Sequence, residues 1–186
     1  MRIVAGSLRG RTLIGPKNDA IRPTSDRVRG AIFNILAHAA SDVSIEGARV
    51  MDLFAGTGAL GLEALSRGAA FCLFVEKSPQ ARAIIERNIE TLGIANRAEV
   101  RAGDAAKLGL APREAFTLVF LDPPYGQGLA EKALAGAAGG GWLAPGALAV
   151  VEERSDVAID WPEGFEVKDV RRWGDTQALF VRYRGT

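Results

Sequence analysis

Two hydrophobic patterns divide the chain, and the change falls near Arg49. Before it, Ile3–Leu13 is a β-like run broken by Gly6 and Gly10, with Gly15 and Pro16 just beyond, which reads as a small hairpin or extended arm. A helix is predicted to begin near Pro23–Ser25. Thr24 or Ser25 can cap it, and Val28, Ile32, Ile35 and Leu36 recur at helical spacing. From Arg49 onward, strands alternate with helices. The strand Arg49–Phe54 runs into a glycine-rich turn and a helix over Leu60–Arg67, and Phe71–Glu76 is the next strand. The following helix is punctuated at both ends, by Ser78 as N-cap with Pro79 in the first turn, and by Gly93 past its last apolar residue. Its apolar stripe is Ala81, Ile84, Ile85, Ile89 and Leu92. A short strand Ala98–Ala102, a strand Thr117–Leu121, a helix Leu129–Ala138 and a strand Ala147–Glu152 continue the alternation. The closing runs Glu166–Trp173 and Gln177–Arg184, joined through Gly174–Asp175, read as an antiparallel hairpin that adds an antiparallel edge strand.

Alternation of this kind, with nearly continuous apolar strands, predicts an α/β fold with a doubly wound, mostly parallel sheet covered on both faces. The 186 residues suffice for one such domain and are too few for two of ordinary size. The expected organisation is a basic N-terminal arm (1–23), a helix (24–40) and the α/β core (49–186). An apolar content of 48% against 24% charged residues fits a globular chain. No apolar run approaches the ~20 residues of a membrane span, and no signal-peptide core follows Met1. The single cysteine, Cys72, excludes an internal disulfide and is consistent with a cytoplasmic location.

Charge changes the picture at one end only. The formal net charge is +1, but Met1–Arg29 holds Arg2, Arg9, Arg11, Lys17, Arg22, Arg27 and Arg29 against Asp19 and Asp26. Seven basic residues against two acidic ones give that segment +5 and leave the remainder net acidic. The asymmetry fits an arm that meets phosphates, or a solvated basic surface.

The turn Asp52-Leu-Phe-Ala55-Gly56-Thr-Gly58-Ala-Leu-Gly61 stands where the first core strand becomes a helix. Its glycines let a ligand approach the backbone, and the helix N-terminus offers unpaired N–H groups. Glu76, twenty residues after Gly56, ends the second strand, where a carboxylate can accept both ribose hydroxyls. A nicotinamide-dinucleotide enzyme and a methyltransferase fit equally well to this point. Asp52 separates them, because a carboxylate before the glycines attracts a cationic sulfonium amino acid and offers a pyrophosphate nothing. Asp104, followed by Ala105 after the third strand, can accept a hydrogen bond from an adenine amine. The alternative role for Asp52 and Asp104 is helix capping.

Asp122-Pro123-Pro124-Tyr125 follows an apolar strand directly. Consecutive prolines fix φ and withhold two backbone donors, so the flanking carbonyls project rigidly. An exocyclic amine on a nucleic-acid base is a poor nucleophile, its lone pair being conjugated into the ring. The Asp122 carboxylate and the Pro123 carbonyl, accepting its two hydrogens, would favour a pyramidal nitrogen, while Tyr125 offers a stacking face for a flipped base. Asp-Pro is also a common turn starter. His38, Cys72 and the tryptophans Trp142, Trp161 and Trp173 are read as surface or packing residues, and no Cys/His cluster points to a metal.

With these residues in view, the chain resembles the Rossmann-like amino-methyltransferases and, more narrowly, the bacterial 16S ribosomal RNA guanine-N2 methyltransferases. The narrower resemblance rests on Arg2–Leu13, on Arg22-Pro-Thr-Ser-Asp-Arg-Val-Arg29 with Phe33-Asn34, on Asp52–Gly61 and on Asp122–Tyr125, and it covers essentially the full length. It implies a seven-stranded sheet, S-adenosylmethionine as cofactor, and methyl transfer to one guanine N2 in the 16S rRNA of the small subunit or its precursor. The enzyme would act as a monomer, without a metal. The cofactor residues implied are Asp52, Ala55, Gly56, Gly58, Glu76, Asp104 and Ala105, with Thr24 approaching the methionine end. Arg2, Arg9, Arg11, Arg22 and Arg27 would grip RNA. DNA adenine or protein glutamine methylation, a nicotinamide-dependent oxidoreductase and a non-catalytic RNA-binding assembly factor are the alternatives. Many relatives acting on adenine or glutamine carry Asn at position 122, so Asp favours guanine.

Overall fold

The computed structural model describes residues 1–15, 25–38, 43–112 and 114–185. The expected cap at Thr24, the end of the predicted helix 24–40 and Arg22 lie outside the described residues. The elements, in chain order, are α1 (Asp26–His38), β1 (Arg49–Leu53), α2 (Ala59–Ser66), β2 (Phe71–Glu76), α3 (Pro79–Leu92), β3 (Ala98–Ala102), β4 (Phe116–Leu121), α4 (Leu129–Gly139), β5 (Leu143–Arg154), β6 (Phe165–Trp173) and β7 (Thr176–Tyr183).

The strands form one seven-stranded sheet in the order β3-β2-β1-β4-β5-β7-β6. The first five strands run parallel, and β7 pairs antiparallel with both β5 and β6. The closing hairpin is therefore present, but its antiparallel strand is internal and β6 takes the edge. Burial explains the exchange. The run Gln177–Val181 on β7 is buried throughout, whereas β6 offers Lys168, Arg171 and Arg172 to water. β5 begins at Leu143, before the expected Ala147, with a register shift opposite Phe116 and Leu118.

Side chains alternate along the parallel strands into two cores. One face collects Val50, Leu118, Phe120 and Val150 with α1, α2 and α3, while the other collects Met51, Leu53, Val119 and Val151 with α4. The α3 boundaries match the sequence reading, since Ser78 Oγ accepts from the Ala81 N–H and Gly93 takes φ 70°. At the start of α1 the Ser25 hydroxyl accepts the Val28 N–H, as one of the two expected caps.

All eight residues of α2 are buried. Such a helix needs close approach on its sheet side, and Gly61 supplies it. A Cβ there would stand 2.4 Å from the Phe74 ring and 2.6 Å from Cys72 Sγ.

The opposite side of α2 carries the N-terminal segment, which is docked rather than projecting. It closes on one antiparallel bridge, Arg2 to Thr12, and buries Ile3 and Leu13 in the α2 face of the core. Glu63 of α2 accepts the N–H groups of Val4 (2.8 Å) and Ala5 (2.9 Å). Ser66 takes the Leu8 N–H on its hydroxyl and donates to the Ala5 carbonyl at 2.6 Å. The buried Asn88 of α3 clasps Ile14 through both its carbonyl and its N–H. Arg29, counted among the basic residues of the arm, is fully buried and ion-paired with Asp26 at 2.7 Å and Glu63 at 3.6 Å. It serves the interior and contributes nothing to the basic surface.

Removing one partner of a buried charge pair leaves the other uncompensated. Glu63→Ala is expected to lower unfolding free energy by about 3 kcal/mol or more in urea titration. Stability equal to that of the parent would contradict the docking account.

Candidate active site

A cavity of about 1180 Å³ opens at the C-terminal ends of β1, β2, β4 and β5, where parallel sheets of this type bind ligands. Of the expected cofactor residues, Asp52, Ala55, Gly56, Glu76, Asp104 and Ala105 line it, as do Asp122, Pro123 and Tyr125. Gly58 does not. Its left-handed φ of 75°, and the 3.2 Å at which a Cβ there would stand from Phe74 and Ile85, make it a turn and close-packing residue. Thr24 lies outside the described residues.

The carboxylates hold the turns that form the walls. Glu76 accepts the Gly56 N–H on one oxygen (2.8 Å) and the Ser78 N–H on the other (2.7 Å), tying the glycine turn to the start of α3. Each oxygen keeps a further lone pair for a ligand hydroxyl. Asp52 accepts the Gly61 N–H at 2.9 Å, so it satisfies the first turn of α2 and faces the cavity at once. Asp104 likewise caps the short 3-10 turn Ala105–Lys107 through the Ala106 N–H, 3.0 Å away. The capping role set beside the ligand role is thus realised in both residues, and both still line the cavity.

Burial pushes the Asp52 carboxyl well above its ordinary range. The Gly61 N–H opposes this, and the negative charges of Asp122 and Glu76 add to it. A cation entering the cavity would relieve that cost.

The Asp122–Tyr125 loop is held from behind. Gly126, in the left-handed region at φ 71°, donates its N–H to both oxygens of the buried Glu153 of β5 at 3.1 and 3.2 Å. Several residues to which the sequence reading gave no site role also reach the cavity: Phe54, Lys77, Gln127, Glu152, Trp173 and Thr176. Phe54 has φ 58°, a conformation that costs a bulky residue energy and that clusters at functional sites. Its position directly after Asp52 and Leu53 was the available signal. Trp173, read as packing, does both, resting on the α1 face of the core while lining the cavity. Trp142 is packing alone, stacked on Phe116 and donating to the Gly109 carbonyl. Among the described residues no group of metal-ligating side chains is brought together, and no helix is long and apolar enough to cross a membrane.

The expected RNA contacts Arg2, Arg9, Arg11 and Arg27 are all exposed outside the cavity. Arg11 bonds the Thr91 carbonyl at the end of α3 at 2.7 Å.

The family model described as conserved hypothetical protein 95 matches residues 1–182. Ribosomal RNA small subunit methyltransferase D of Escherichia coli strain K12 is 40% identical over 152 residues, covering 82% of this chain and 74% of the relative. The solved structure of the Escherichia coli protein yhhF superposes with a TM-score of 0.85 at 32% identity, over 100% of this chain and 99% of that one. An RNA methyltransferase from Salinibacter ruber, in complex with S-adenosyl-L-homocysteine, gives 0.66 at 19% identity over 88% of this chain and 95% of that one, a likeness of fold.

Because the Asp52 carboxyl takes up a proton more readily folded than unfolded, its charge costs stability above its folded pKa, and the cost fades as pH falls through that value. Asp52→Asn keeps an acceptor for Gly61 without the charge. The variant is expected to melt above the parent at pH 7, with the gap narrowing on acidification in thermal scans. A variant that melts lower at pH 7 would show that the charge itself holds the turn.

Proposed function

The chain belongs to the conserved hypothetical protein 95 family, with the ribosomal RNA small subunit methyltransferases D, and from that premise we propose that it methylates the N2 amine of a guanine in small-subunit ribosomal RNA. It is a Rossmann-like methyltransferase, and S-adenosylmethionine is its methyl donor. Membership of such a family removes the nicotinamide-dependent oxidoreductase from consideration.

The residues present suit that donor. Its sulfonium and ammonium groups are cationic, and the cavity walls carry the carboxylates of Asp52, Glu76 and Asp104. The Glu76 oxygens, which line the cavity beside the Gly56 turn, accept the ribose hydroxyls, and that turn lets the nucleoside approach the backbone. When bound, the donor supplies an electrophilic methyl group on a sulfur that leaves as a neutral thioether, so no metal is required.

The observation that carries the proposal is the Asp122–Tyr125 loop, opening onto the same cavity as the glycine turn and pinned by Glu153. The Asp122 carboxylate and the Pro123 carbonyl accept the two hydrogens of the amine, loosen its conjugation and aim its lone pair into the cavity. Tyr125 stacks against the extruded base. The work of the loop is positioning, and Asp122 need not take the proton fully, since an alkylated amine loses it readily. The exposed Arg2, Arg9, Arg11 and Arg27, together with Arg22, contact RNA phosphates. The substrate class and the location in the cytoplasm, where small subunits are assembled, follow from this reading.

Asp122→Ala is expected to bind S-adenosyl-L-homocysteine as the parent does in calorimetry, yet to transfer labelled methyl groups to unmodified small subunits at least about a hundredfold more slowly. Undiminished transfer would remove the loop from the mechanism. For the basic segment, Arg9 and Arg11 replaced together by Ala should flatten the slope of log K against log salt by about one per residue. An unchanged slope would return both to ordinary surface.

A further inference from the structure

We propose that Glu152 makes the site selective for guanine by accepting the ring N1–H of the base whose amine Asp122 and the Pro123 carbonyl hold. The inference rests on the proposed reading of the Asp122–Tyr125 loop and goes beyond it, because that loop would hold any exocyclic amine.

The placement comes from the sheet. Leu121 of β4 pairs with Val151 of β5, so the next residues, Asp122 and Glu152, stand side by side where the two parallel strands reach the cavity. Phe120 and Val150, two positions back, face the α1 side of the sheet, and alternation sends Asp122 and Glu152 to that same side. Glu153 points the other way and holds Gly126. Glu152 is 2% exposed and still lines the cavity, as do the aromatic rings of Tyr125 and Trp173. A carboxylate has about four lone-pair sites, more than a single partner fills. Having only acceptors when ionised, it rewards a donor and penalises a lone pair.

Guanine is the one base of the four that carries a ring N–H next to its exocyclic amine. Adenine and cytosine each place an acceptor nitrogen there. A base entering amine-first toward Asp122 therefore presents Glu152 with a donor if it is guanine and with a lone pair if it is not. Charge-assisted hydrogen bonds are short and strong in such surroundings, and a site built to bond a substrate N–H rejects analogues lacking it far more strongly than one that reads shape.

The test compares guanine with 2-aminopurine, which has the same amine but a lone pair at N1. Small subunits are reconstituted with one or the other at the methylated position, identified first from the labelled product of the unaltered protein. That protein is expected to favour guanine by at least about tenfold in kcat/KM. Glu152→Gln, whose amide can donate to N1, should bind S-adenosyl-L-homocysteine normally and bring the ratio toward one, with the guanine rate falling about tenfold to a hundredfold. A residue needed only for folding would lower both rates together and leave the ratio intact. Equal rates on the two bases with the unaltered protein, a measurement that needs no variant, would overturn the proposal, as would an unchanged ratio in a folded Glu152→Gln. If the labelled product is not N2-methylguanosine, the underlying reading falls and this inference falls with it. If it is N2-methylguanosine and the ratio does not move, Glu152 alone is acquitted.

Discussion

The structure depends on the burial of α2 from both sides. A helix with no face to water must satisfy each neighbour without gaps, and α2 does so by chemistry that changes along its length. At its start, Gly61 brings it against Phe74 and Cys72, and Asp52 accepts the N–H of that glycine. Further along, Glu63 and Ser66 hold the N-terminal segment, and Arg29 neutralises Glu63 from α1. The turn before α2 and the basic segment behind it are therefore positioned by one rigid element of eight residues. Charges so deeply buried persist only when paired or hydrogen-bonded, which ties the stability of the fold to the shape of the site.

The same economy recurs at the strand ends. Asp52, Glu76, Asp104 and Glu153 each accept backbone N–H groups from the turns and helix starts around the cavity. The walls are consequently acidic, and the exposed arginines of the N-terminal segment lie outside them. In the proposed reading that division sorts the ligands. A cationic donor is drawn in, phosphates are kept at the basic exterior, and a base must leave its backbone behind to enter.

Much of this was legible in the chain because it followed local rules. Strand and helix alternation, the Ser78 and Gly93 boundaries, the glycine turn and the two prolines are short-range signals, and each stands where its physical cause requires. What escaped depended on tertiary partners. Nothing near Arg29 reveals that Glu63 lies across from it, so a buried cation was counted as part of a basic surface. The order of β6 and β7 was set by their relative burial in the sheet, which hairpin spacing does not encode. Glu152 and Trp173 looked like the end of one strand and a packing residue. Only the register of β4 against β5 and the fold of the closing hairpin carry them to the cavity. Asp52 and Asp104 were read through a choice between capping and binding that the structure does not make.

The most direct test of the central claim is the identity of the modified nucleoside. The purified protein, labelled S-adenosylmethionine and small subunits lacking modification are incubated together, and the ribosomal RNA is digested to nucleosides and separated. The account predicts that the label enters a single nucleoside, N2-methylguanosine, at no more than one equivalent per subunit. Label in a methylated adenosine or in ribosomal protein, with none in N2-methylguanosine, would contradict it.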